Sequence, residues 1–113
     1  MGEANILKCR VLENGRLETD CGVLASADAV EASSVEAMIR PEAIALTPHH
    51  NCPDENVLDG RILSCEYLGE VAKLRAATGQ GALEFLELNP LGAISEGTPV
   101  KLHISPADVR ILK

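Results

Sequence analysis

His49-His50-Asn51-Cys52-Pro53-Asp54-Glu55 is the densest cluster of reactive side chains in the chain. Two imidazoles, a thiol and two carboxylates within seven residues are the donor set that zinc takes. A structural zinc site needs four ligands held in a tetrahedron, and neighbouring side chains on extended backbone point in opposite directions. The segment also carries Pro48 and Pro53 among polar residues, so it reads as a solvated loop rather than a metal centre. His103, on the outer face of its strand, reads as a surface histidine. Gly79-Gln80-Gly81 is glycine-rich, but it lacks the lysine and hydroxyl that a phosphate-binding loop places at a helix start. It reads as a tight turn. No nucleophile, base and orienting group stand together, so the sequence points away from an enzyme. No residue is assigned a catalytic, cofactor-binding or metal-binding role.

The elements that position these residues are strands. Val35, Ala37, Ile39, Pro41, Ile44 and Leu46 recur 65 residues later as Val100, Leu102, Ile104, Pro106, Val109 and Ile111. Each unit alternates apolar and polar residues and then meets a proline, which reads as a strand followed by a corner. Residues 5–12 alternate Leu7, Cys9 and Val11 with Lys8 and Arg10, and Asn14-Gly15 is a hairpin signal leading into 17–20. Residues 26–34 read either as a short helix or as a polar link. Residues 56–67 form a long strand with a bulge or bend at Asp59-Gly60, and 71–78 and 82–88 form a hairpin pair. Ala82–Leu88 is apolar on both faces, as in a strand covered on both sides or lying in an interface. Residues 90–97 read as a loop. Eight to ten short strands at this spacing predict an all-β, OB-like barrel of antiparallel strands.

One domain accommodates all 113 residues. With one Tyr, one Phe and no Trp, the core must be aliphatic. A formal net charge of −7 repels phosphate backbones, and the missing rings remove stacking platforms, so nucleic acid is an unfavoured partner. No run approaches the ~20 apolar residues of a membrane span, and the N-terminus lacks a secretory pattern, which points to the cytoplasm. The chain opens at once on strand-like sequence, as if cut from something longer. Cys9, Cys21, Cys52 and Cys65 form no CxxC pair. Cys9 lies in phase with Leu7 and Val11, Cys21 with Leu17 and Thr19, and Cys65 with Leu63 and Tyr67, so these three read as core thiols.

Several motifs in order carry a family resemblance. They are Gly2-Glu3-Ala4-Asn5, Arg40-Pro41-Glu42, Leu58-Asp59-Gly60-Arg61-Ile62, Tyr67-Leu68-Gly69, Glu96-Gly97-Thr98-Pro99 and Pro106-Ala107-Asp108-Val109. Together they resemble the transport-associated OB (TOBE) domain at the C-terminus of ATP-binding subunits of ABC importers for ferric iron, polyamines and sugars. The resemblance implies one regulatory domain over 1–113, with 1–34 supplying strands to a TOBE core at 35–113. It implies a parent subunit whose N-terminal nucleotide-binding domain, absent from this sequence, hydrolyses ATP with Mg. The phosphate-binding loop, acidic metal-binding strand and transporter signature are missing here. No cofactor is therefore expected in this segment. The resemblance further implies a non-catalytic regulatory and dimerisation role, with a lean towards iron uptake. Homodimers, the nucleotide-binding domain and the transporter's membrane subunits would be partners, placing the chain at the inner membrane without insertion. The alternative is a sensor of a small ligand, an oxyanion or a metal. By the same resemblance Gly2, Asn5, Arg40, Pro41, Glu42, Gly60, Tyr67, Gly69, Gly97 and Pro106 are structural or docking residues. Arg40-Pro41-Glu42 by itself reads as a structural corner, with Arg40 pointing off the core.

Overall fold

A computed structural model describes residues 4–88 and 94–112. Among these lie nine strands and two 3-10 turns. The strands are β1 (Asn5–Val11), β2 (Leu17–Thr19), β3 (Gly22–Leu24), β4 (Ser34–Ile39), β5 (Asn56–Leu68), β6 (Val71–Thr78), β7 (Gly81–Leu88), β8 (Pro99–Ile104) and β9 (Arg110–Leu112). They divide into two sheets, ordered β3-β2-β1-β4-β9 and β7-β6-β5-β8, with every pairing antiparallel. The all-β, OB-like architecture expected from the sequence is the one found.

The two sheets are two copies of one plan. Asn5 pairs with Ile39 and Arg10 with Ser34 across β1 and β4. Asn56 pairs with Ile104 and Arg61 with Pro99 across β5 and β8. A shift of 51 residues on the first strand and 65 on its partner converts one register into the other. The halves also exchange their ends. After the first 3-10 turn (Pro41–Ala43), Ala45 bridges His103 on β8. After the second (Pro106–Asp108), Arg110 pairs with Met38 on β4. His103 is the counterpart of Met38 and Arg110 that of Ala45, at the same spacing of 65.

The corners explain the exchange. A proline at the first position of each 3-10 turn fixes φ and gives up an amide the strand would otherwise use. Both prolines are buried, and Ile44 and Val109 close the turns by donating to the Pro41 and Pro106 carbonyls at 3.3 Å. The repeat seen in the sequence carries through to packing. Ala37, Ile39, Pro41 and Ile44 are buried, as are Leu102, Ile104, Pro106 and Val109, with half-buried residues at both ends.

The core is aliphatic around one buried phenyl ring, Phe85. Each fully buried side chain of that size class contributes about 1.5–3 kcal/mol of transfer free energy. Cys9 and Cys21 are core residues, and burial pushes both thiols up, so neither offers a thiolate at neutral pH.

Two local expectations need correction. The irregularity in β5 falls between Ile62 and Ser64, not at Asp59-Gly60. Gly60 serves a close approach instead, since a Cβ there would stand 2.9 Å from the Ala77 carbonyl oxygen. Because the bulge inserts Leu63 as an extra residue, the alternation changes phase. Leu63 and Tyr67 are exposed, and Cys65 is half-buried, packed against the core from its margin rather than within it. Of the two readings open for residues 26–34, the link is the one found, since residues 25–33 contain no helix.

Candidate functional site

The family-motif residues resolve into distinct jobs. Asn5 stands at the start of β1 and reaches across to β7, an edge strand. Its amide nitrogen donates to the Glu84 carbonyl at 2.8 Å and to the Ile39 carbonyl at 3.2 Å, and its oxygen accepts from the Glu84 N–H at 2.9 Å. A side-chain amide thus occupies the place of a neighbouring strand. Asn56, its counterpart, does the same to Ala25, accepting from its N–H at 2.8 Å and donating to its carbonyl at 2.9 Å. Each half therefore ties down the other at its third strand, in the middle of β7 and just past the end of β3.

Tyr67 is exposed, and its hydroxyl accepts from the Ile94 N–H at 3.3 Å. Gly69 lies in the turn joining β5 to β6. Gly97 donates its N–H to the Ile62 carbonyl at 2.7 Å, and its own carbonyl accepts from Arg61 Nη1 at 3.2 Å. Pro106 is a buried corner. Arg40 and Glu42 flank buried Pro41 and are exposed, with no ion-pair partner among the described residues. Gly2 lies outside the described residues, as does part of the 90–97 loop. The motif residues are thus dispersed over both halves rather than convergent on one point.

Two open grooves sit at pseudo-equivalent places. The first, about 780 Å³, is lined by Lys8, Arg10, Ser34 and Gln80, with Glu18 beside Arg10 and Asp20 beside Gln80. The second, about 450 Å³, has Asp59, Gly60, Arg61 and Val100. Lys8, Cys9 and Arg10 shifted by 51 residues become Asp59, Gly60 and Arg61. Gly79, in the β6–β7 hairpin, lines both. Arg10 pairs with Glu18 at 3.1 Å on an exposed surface, a bond that water weakens. Lys8 has no ion-pair partner among the described residues. An ammonium, a guanidinium, a hydroxyl and an amide NH₂ are the donors that a small tetrahedral oxyanion takes. The Glu18 and Asp20 carboxylates set the counter-field that such an anion must overcome.

The 47–55 segment is not the fully solvated loop that its composition predicts, and His103 is not a surface residue. Glu55 is held between two imidazoles, with Oε2 at 2.7 Å from His49 Nδ1 and Oε1 at 2.8 Å from His103 Nδ1. Oε2 also accepts from the His49 backbone N–H at 3.0 Å. His103 is on the outer face of β8, as its parity indicates, yet it is 8% exposed. The Ala45 segment and the returning loop cover that face. Burial raises the Glu55 carboxyl, but the His49 N–H and the two imidazoles outweigh it and hold the carboxyl below the ordinary range. Among the described residues no group of three or more His, Cys, Asp or Glu is placed to hold a metal. Beside this clasp, a cleft of about 440 Å³ separates the loop from the second 3-10 turn, with His49, His50, Cys52, Asp54 and Ser105 in its wall.

Sequence reasoning singled out Asn5 but missed its bonding role and its counterpart Asn56, along with the pairing of the grooves and the clasp. A signal for Asn56 and for the pairing of the grooves stood in the sequence. Asn5-Ile6-Leu7 with Arg10-Val11-Leu12 recurs as Asn56-Val57-Leu58 with Arg61-Ile62-Leu63.

Comparison with known proteins gives three results. The TOBE domain model matches residues 37–112. No curated protein sequence matches the chain. Among solved structures, the cytoplasmic molybdate-binding protein ModG, in a crystal form with molybdate bound, is similar at a TM-score of 0.76. The match covers 95% of this chain and 94% of that one, at 16% identity. No helix among the described residues is long and apolar enough to cross a membrane.

Proposed function

This chain belongs to the TOBE domain family, and on that premise we propose that it is a non-catalytic module binding a small tetrahedral oxyanion of the molybdate class. The observation that carries this reading is the first groove, whose lining includes four donor side chains, those of Lys8, Arg10, Ser34 and Gln80. The likeness of fold to a molybdate-bound protein supports the ligand class. Arg61 at the position equivalent to Arg10 supports a second, weaker site, since Asp59 stands where the first groove has Lys8. A chain of net charge −7 can hold an anion only through such a local concentration of donors.

Melting the protein with molybdate, tungstate, sulfate or phosphate tests this directly. A ligand bound only by the folded state stabilises it, by about 2.7 kcal/mol at one hundred times its Kd. Molybdate or tungstate should raise the melting temperature, and the double substitution Lys8→Gln/Arg10→Gln should weaken binding at least tenfold, about 1.4 kcal/mol. No shift with any of the four anions at millimolar concentration would overturn the reading.

A second reading keeps the module within an ABC importer, as the regulatory and dimerisation domain of an ATP-binding subunit. Exposed Arg40 and Glu42 on a proline corner favour it, because a charged pair with no ion-pair partner among the described residues suits contact with another protein. In that setting the module would lie in the cytoplasm at the inner membrane, held by the transporter complex. Neither comparison speaks for iron as the transported solute. Light scattering over a concentration range tests the self-association part. A mass near twice 12.0 kDa at micromolar protein supports it, and a monomer throughout removes dimerisation by this domain alone.

A further inference from the structure

Resting on the oxyanion reading of the first groove, we propose that Glu18 is a built-in competitor for the ligand, a carboxylate that occupies Arg10 until an oxyanion displaces it and so sets the concentration at which the groove fills. Glu18, Arg10 and Ser34 stand in one cross-strand row. Arg10 lies opposite Glu18 on β2 and opposite Ser34 on β4. Directly opposed residues share one face of a sheet, and all three line the groove. Arg10 Nη2 is 3.1 Å from Glu18 Oε1, so the guanidinium already has an anion beside it. Lys8 lies opposite Glu36, yet it has no ion-pair partner among the described residues. Of the two cations in the groove, the arginine is taken and the lysine is left.

The internal duplication separates what the strand pairing needs here from what the groove adds. The matching row in the second half is Ala77, Arg61 and Pro99. An arginine is held there with alanine in the place of the carboxylate, and one of its N–H groups goes to the Gly97 carbonyl at 3.2 Å. The fold therefore accepts an uncharged residue opposite this arginine. A carboxylate and a tetrahedral oxyanion take the same guanidinium donors. An oxyanion that claims Arg10 must first break the pair, so it binds more weakly by the strength of that pair. The side chains of Arg10 and Glu18 are 70% and 49% exposed, and water solvates both. An exposed pair of this kind changes an equilibrium constant by up to about fivefold, which is weak enough for a ligand to overcome. Once released, the Glu18 carboxylate is screened by water and salt, so most of its effect passes through Arg10. A carboxylate whose task was to orient Arg10 would have the opposite sign, because its loss would weaken binding.

Calorimetric titration of the full chain with tungstate, at fixed ionic strength, tests the competitor. Glu18→Gln keeps the shape and removes the charge, and it should tighten binding by about threefold to fivefold. Without ligand the variant should melt within about 5 °C of the unmodified protein, since an exposed ion pair adds little stability. A tighter site in a protein no more stable than before is not what a merely structural residue produces. The same substitution in an Arg10→Gln background closes a double-mutant cycle. There it should change the affinity by less than about twofold, and it should not restore binding if Arg10→Gln has abolished it. Equal gains with and without Arg10, or restored binding without it, overturn the proposal in favour of a general repulsive field. Unchanged or weaker binding in Glu18→Gln also overturns it, while the oxyanion reading stands on the unmodified protein's own affinity. Absence of tungstate binding in both the unmodified protein and Glu18→Gln at millimolar concentration removes that reading and the competitor with it.

Discussion

Replacing Asn5 by alanine should cost about 3 kcal/mol of folding stability, read as a fall of roughly 10 °C or more in melting temperature. The side chain makes three hydrogen bonds at 2.8, 2.9 and 3.2 Å, two of them to the same residue of an edge strand. Removing it strands the Glu84 N–H and carbonyl in a partly buried place. Each unpaired group costs ~1–3 kcal/mol where water cannot replace the lost partner. Water reaches part of this site, so the sum stays near the lower end. Equilibrium urea unfolding gives the number. The duplication supplies a second test, because Asn56→Ala should cost a similar amount by releasing the Ala25 N–H and carbonyl. A loss under 1 kcal/mol at both positions would mean that the amides decorate the edge strands rather than hold the halves together.

How much of this was legible in sequence depends on the distance over which each feature is encoded. The corner units at 35–46 and 100–111 were readable because alternation followed by proline is local, and their burial agrees at all six matched apolar positions. The larger duplication was harder to see, because the hairpins between the matching segments differ. β2 and β3 have three residues each, whereas β6 and β7 have eight each. An alignment gap of that size hides an octapeptide repeat. The place of His103 on the outer face of β8 followed from parity, but parity says nothing about what covers a face. That information lies in Glu55, 48 residues earlier, and in a bridge made by Ala45. Gly60 shows the opposite failure. Glycine in a strand signals either a bulge or a close approach, and only the Ala77 carbonyl decides between them.

Gly79→Ala is the sharpest test of how the two halves meet, with an expected loss of about 3 kcal/mol. Gly79 has φ +59°, where a side chain costs ~1–2 kcal/mol through contact with its own backbone. An added Cβ would also stand 2.5 Å from the Asp20 carbonyl oxygen and 3.3 Å from the Cys21 carbonyl carbon. That contact cannot be relieved by turning a flexible side chain, because both atoms are backbone. The hairpin must therefore move off the 20–21 segment. Movement strains the Gln80 N–H bond to the Asp20 carbonyl at 2.8 Å and the Thr78 hydroxyl bond to the Cys21 carbonyl at 3.0 Å. Gly69→Ala separates the two causes. Gly69 also has positive φ, at +81°, but an added Cβ there meets nothing within 4 Å. It should lose only the backbone cost, about 1 kcal/mol. Equal losses at the two glycines would show that conformation alone matters and that the close approach at Asp20 is slack. A larger loss at Gly79 has a functional corollary, since this residue lines both grooves. Any Gly79→Ala protein that remains folded should then bind oxyanion more weakly than Gly69→Ala, measured by the same melting shift.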